Sequence, residues 1–106
     1  MLIEALENFI ELRRPEENIR HLVDLTYKIE NQSVRIHDLR PHWKNPELIM
    51  EGNVAKATYI KNKNHWKIFW PASDGGWHPY SAQPTVKTIS EFTALVAEDK
   101  HNCFFG

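Results

Sequence analysis

The sequence predicts an α+β domain: two N-terminal helices, an antiparallel meander sheet of about five strands, and a C-terminal helix packed on the sheet. Two observations carry this. Apolar residues recur at helical spacing near both ends and at every second position through most of the stretch from Leu25 to Tyr80. Polar or glycine-rich clusters at Asn31-Gln32-Ser33, Asn62-Lys63-Asn64 and Ser73-Asp74-Gly75-Gly76 interrupt the alternation at short intervals, as hairpin turns do.

The first helix rests on Leu2, Ile3, Leu6, Phe9 and Ile10, with Glu4, Glu7, Asn8 and Glu11 between them. Arg13 and Arg14 close it at the end where cations complement the helix dipole, and Pro15 follows. Pro15 also suits the first turn of a second helix, with Glu16 and Glu17 at its positive end and Ile19, Leu22 and Val23 on one apolar face. Leu25, Tyr27 and Ile29 then alternate with Asp24, Thr26, Lys28 and Glu30, and Val34 and Ile36 alternate with Arg35 and His37, giving a hairpin. On this alternation Asp38 shares the Val34/Ile36 face, where a structural ion pair with Arg35, Arg40 or a lysine is the expected role.

Pro41 and Pro46 predict an irregular segment, and Glu51-Gly52-Asn53 reads as the break before the strand VAKATYIK. In the returning strand Trp66, Ile68 and Trp70 share one face, while His65, Lys67 and Phe69 share the other. A short last strand spans Trp77 to Tyr80. Thr88-Ile89-Ser90-Glu91 has capping-box spacing and opens a helix whose apolar side is Ile89, Phe92, Leu95 and Val96. The tail HNCFFG is apolar enough that Phe104 and Phe105 are expected to dock on the sheet or on a partner chain.

One hundred and six residues with thirteen basic and fourteen acidic groups describe a single domain, residues 1–106. A single cysteine excludes an internal disulfide and suits a reducing compartment. No apolar run approaches the roughly 20 residues of a membrane span, and the N-terminus lacks the basic start and apolar stretch of an export signal, so the expectation is a cytoplasmic protein with no membrane partner.

Four stretches, RIHDLRPHW, VAKATYIKNKNHWKIFW, GWHPY and EDKHNCFFG, together resemble the bacterial family known as domain of unknown function 3024. The features that carry the resemblance are Arg40-Pro41-His42-Trp43, the hairpin ending in Trp66 to Trp70, Trp77-His78-Pro79-Tyr80, and Phe104-Phe105-Gly106, so it covers about residues 25–106. The resemblance implies a small stand-alone bacterial protein. It assigns no activity and no site residues.

Read for chemistry, the sequence offers no catalytic motif, no metal-ligand spacing and no cofactor signature. The six histidines lack the close pairs that anchor zinc, and only a fold that gathered His78, His101 and Cys103 in space would make a metal or nucleophile site. Charge is more informative. Residues 1–30 carry net −3, residues 51–71 net +3, and residues 72–106 net −2, so the middle is basic and the ends acidic. Lys61, Lys63 and Lys67 cluster around a hairpin bearing Trp66 and Trp70, while Arg40 and Trp43 lie on the segment leading toward it. His78 sits on the last strand. Cations beside aromatics are what single-strand binders use, so Arg40, Trp43, Lys61, Lys63, Lys67 and His78 are the candidate binding residues, with nucleic acid as the lead ligand. The competing reading of Trp66 and Trp70 is burial under the helices. The alternatives are a protein-interaction or self-associating module, dimerising through a sheet edge or the C-terminal tail, and a small hydrolase or nuclease without a recognisable motif.

Overall fold

A computed structural model describes residues 2–20 and 23–105. Met1, His21, Leu22, Gly106 and the side chain of Leu2 lie outside the described residues. Helix α1 spans Leu2–Arg13, strands β1 to β6 span Asp24–Glu30, Ser33–Pro41, Ile49–Ile60, His65–Pro71, Trp77–Pro79 and Thr85–Val86, and helix α2 spans Ile89–Glu98. The strands form one antiparallel sheet in the order β1-β2-β3-β4-β5, with β6 pairing the stretch of β4 that β5 leaves open.

Both helices lie on one face of this sheet. Leu6, Phe9 and Ile10 of α1 and Ile89, Phe92 and Val96 of α2 join Val34, Ile36, Ala55, Ala57 and Ile68 in a single core. Trp66 and Trp70 are half-buried against it, on the side the competing reading assigned them. The period-two pattern sorts the strands because successive side chains point to opposite faces, and only the aliphatic row has helices to cover it.

The N-terminal region corrects one expectation. Among the described residues only one N-terminal helix forms, and the segment read as a second one holds a 3₁₀ turn at Glu17–Ile19. Ile19 is 41% exposed, so it does not contribute the apolar burial that a short helix here would need. Leu22, which that reading also used, lies outside the described residues. Beside the shared core, polar contacts tie α1 and the residue after it to β1. The Arg14 guanidinium donates through Nε and Nη2 to the two Asp24 carboxylate oxygens, both at 2.7 Å, and Tyr27 donates to Glu7 at 2.8 Å. The bond from Arg14 holds the Asp24 carboxyl below its usual range.

Strand β3 begins earlier than the sequence suggested. Glu51, Gly52 and Asn53 are not a turn but pair with Leu39, Asp38 and His37 of β2, and Pro41 is itself the last residue of β2, opposite Ile49. Gly52 permits this because a side chain there would collide with the Asp38 carboxylate. Asp38 is half-buried on the Val34/Ile36 face and its ion-pair partner is Arg40, at 3.4 Å. The extra residue is absorbed by a bulge: Ile36 faces Ala55 and His37 faces Asn53, leaving Val54 without a partner.

At the other end, the expected capping box is present. Thr88 Oγ1 accepts from the Glu91 N–H and Glu91 Oε1 accepts from the Thr88 N–H, each at 3.2 Å. Asp99 ends α2 in the left-handed conformation, φ 44°, and its carboxylate accepts the N–H groups of Phe104 and Phe105 at 3.0 and 2.9 Å. Phe104 is thereby buried against Tyr80, with ring centroids 4.9 Å apart, and Arg13 lies over Phe105 at 4.7 Å. The tail docks on its own chain.

Two substitutions test this packing. Phe92→Ala, at a fully buried position between helix and sheet, should cost about 3–5 kcal/mol in urea denaturation. Thr88→Ala, which removes only the cap, should cost about 1 kcal/mol with an unchanged denaturant slope.

Candidate nucleic-acid interface

The face of the sheet opposite the helices carries the site. Register aligns Lys28 of β1 with Arg35 of β2, Arg35 with Lys56 of β3, Lys56 with Phe69 of β4, and Phe69 with Pro79 of β5. Three cations therefore stand side by side on three adjacent strands, followed by an aromatic ring. Like charges directly opposite one another oppose pairing, so such a row needs compensation. Lys56 finds it in ring faces: its Nζ lies 4.9 Å from the Phe69 ring centroid and 5.1 Å from that of Trp77. Lys28 and Arg35 find it in Glu51, whose carboxylate lies 3.2 Å from Lys28 Nζ and 3.3 Å from Arg35 Nη2.

Glu51 reaches this face because of the bulge. Lys56 and Glu51 are an odd number of positions apart, so on a regular strand they would point to opposite sides. Val54 shifts the parity, and Glu51 arrives beside the cations. His37 stands on this face already, two positions from Arg35 along the regular strand β2. It is 1% exposed on the outer side of β2, with Nε2 3.8 Å from Glu51 Oε1 and Nδ1 without a hydrogen-bond partner. Burial pushes the imidazole below its ordinary value of 6.5, outweighing the attraction of Glu51. Beside this cluster an open depression of about 270 Å³ is lined by Lys28, Glu30, Asn31, Ser33, Arg35, Lys56 and Trp77. One row further along, the Ser33 hydroxyl is 2.8 Å from that of Thr58, which faces Lys67.

The six sequence candidates are dispersed across this framework. Lys67 is exposed on the outer face, next to the cation row. Lys61 and Lys63 are exposed at the β3–β4 tip. Arg40 and Trp43 belong to the opposite end of β3, whose 12 residues extend about 35 Å. There β2 and β3 run past the ends of β1 and β4 as a two-stranded arm, on which Trp43 is 81% exposed and stacked on His42. His78 is tied down locally, its Nε2 2.9 Å from Asp74 Oδ2 and its ring 5.6 Å from that of Trp70. Hence the structure does not bring Arg40 and Trp43 to the lysine hairpin. Sequence reasoning missed Lys28, Arg35, Lys56, Glu51 and Trp77 as a group. Their placement on wet strand positions was readable, but which of them stand side by side depends on register.

Among the described residues no three His, Cys, Asp or Glu side chains are grouped as a metal site. His101 and Cys103 do share an open depression of about 280 Å³ with Trp70 and Tyr80, where the thiol lies 3.7 Å from the His101 carbonyl oxygen. No helix among the described residues is long and apolar enough to cross a membrane.

The chain belongs to the family described as Domain of unknown function (DUF3024), whose model matches residues 1–106. The match includes the N-terminal helix, which the resemblance read from the sequence did not reach. No curated protein and no solved structure gives a significant match to the chain.

The depressed His37 sets a pH dependence. The unfolded chain takes up a proton at this residue as pH falls through 6.5, whereas the folded chain resists until lower pH, so stability declines on acidification below about 6.5. The thermal midpoint should fall between pH 7 and pH 5, and His37→Leu should make that fall shallower. An identical pH profile for the variant would show that His37 is not the titrating group.

Proposed function

We propose that the helix-free sheet face binds single-stranded nucleic acid, with the phosphodiester backbone running along Lys28, Arg35 and Lys56 and bases stacking on Phe69 and Trp77. The observation that supports this most directly is the in-register cation row ending at two aromatic rings, on a face that no helix covers. Stacking needs an accessible ring and is tolerant of base identity, while the cations meet the repeating charge of the backbone. Lys67 lies beside the row, and Lys61 and Lys63 extend the basic surface toward the β3–β4 tip. In this reading the protein is a binding module and needs no cofactor.

A second reading is a protein-interaction module. It is supported by the arm, where Trp43, Leu48, Ile49 and Met50 are 81%, 53%, 58% and 50% exposed. The two readings use opposite ends of β3 and separate by mutation.

Fluorescence anisotropy with a labelled single-stranded 12-mer at low salt tests the proposal. Wild-type affinity should fall with salt at a logarithmic slope near −2, as expected for about three phosphate contacts. Lys56→Glu should weaken binding at least tenfold, and Trp43→Ala should leave it unchanged. Absence of binding at low salt, or indifference to Lys56→Glu, would overturn the nucleic-acid reading.

A further inference from the structure

We infer that Lys28, Arg35 and His37 form a seat for one phosphate group, that the Glu51 carboxylate occupies this seat in the free protein, and that a bound phosphodiester displaces it. The inference rests on the nucleic-acid reading above and adds how that site is regulated.

Three nitrogens from two strands converge on one carboxylate: Lys28 Nζ at 3.2 Å, Arg35 Nη2 at 3.3 Å and His37 Nε2 at 3.8 Å. These distances exceed the 2.7–2.9 Å of a well-formed charged hydrogen bond. The same chain makes such bonds elsewhere, since Arg14 and Asp24 meet twice at 2.7 Å. Glu51 thus supplies charge to the cluster without tight geometry. A tetrahedral phosphate, with more oxygens to distribute, can meet separate donors that a planar carboxylate spans poorly.

Displacement is also sterically open. Glu51 has a side chain 39% exposed, and Lys28 and Arg35 also line the open depression of about 270 Å³. Strand β3 pairs β4 only from Lys56 onward, so the stretch carrying Glu51 is held on one side alone, by β2. Exposed pairs of this kind hold weakly and are screened by salt. Glu51 therefore behaves as an internal competitor: it neutralises the cations when no ligand is present and lowers the affinity of any anion that binds.

The test compares Glu51→Gln with Glu30→Gln in the same 12-mer titration. Both remove one negative charge from the surroundings of Lys28 and Arg35, but Glu30 has no ion pair to Lys28, Arg35 or His37 among the described residues. Glu51→Gln should bind at least threefold tighter than wild type and tighter than Glu30→Gln, whose gain reports only the loss of a nearby charge, and adding Arg35→Gln to Glu51→Gln should abolish the gain. Glu51→Ala, which drops the side chain altogether, should show the same gain and guards against a fold defect in either variant. If wild type binds but Glu51→Gln gains no more than Glu30→Gln, the seat is refuted and the nucleic-acid reading stands. If neither wild type nor Glu51→Gln binds at low salt, both fall.

Discussion

The register between β2 and β3 is the constraint on which the rest of the structure depends. It places Val34 and Ile36 against Ala57 and Ala55 beneath the helices, and in the same stroke places Arg35 against Lys56 on the opposite side. A slip by one residue would exchange the two sets, burying cations and exposing the aliphatic row. The hydrophobic burial that stabilises the fold and the charge pattern of the outer face are therefore a single choice of pairing.

Beyond Ile36 the bulge at Val54 resets that choice. It carries Glu51 to the cationic side, where His37 of β2 already stands, and brings Gly52 opposite Asp38 on the other. Bulges re-aim side chains at little cost because one unpaired residue is accommodated locally. Here the unpaired residue is buried, so the ladder lost at Val54 is partly offset by apolar burial. The placement of the acid that neutralises Lys28 and Arg35 follows from this one position.

Much of this was legible in the residues. Alternation in Asp24–Glu30 and His65–Pro71 identified strands and their inner faces, and Thr88 with Glu91 announced the last helix. Three features were not. Pro15, Glu16 and Glu17 have the chemistry of a helix start, but whether a helix forms there depends on something to bury Ile19 against, which is a tertiary fact. Glu51-Gly52-Asn53 has the composition of a turn, and Gly52 instead leaves room in the ladder for the Asp38 carboxylate opposite it. The outer cation row combines residues from three strands separated by up to 28 positions, so single-strand patterns place Lys28, Arg35 and Lys56 on wet faces without placing them together. The lysines that cluster in sequence, Lys61 and Lys63, drew attention because proximity along the chain is visible and proximity across a sheet is not.

Asp99 has a wider role than ending a helix. A carboxylate at this end faces the negative pole of the helix dipole, an unfavourable position that its bonds to the two phenylalanine amides offset. The last turn of α2 and the tail consequently open and close as one cooperative segment, since unwinding the turn frees both amides and withdraws the Phe104 ring from Tyr80. One carboxylate thus couples the end of the helix to the seating of the terminal aromatics.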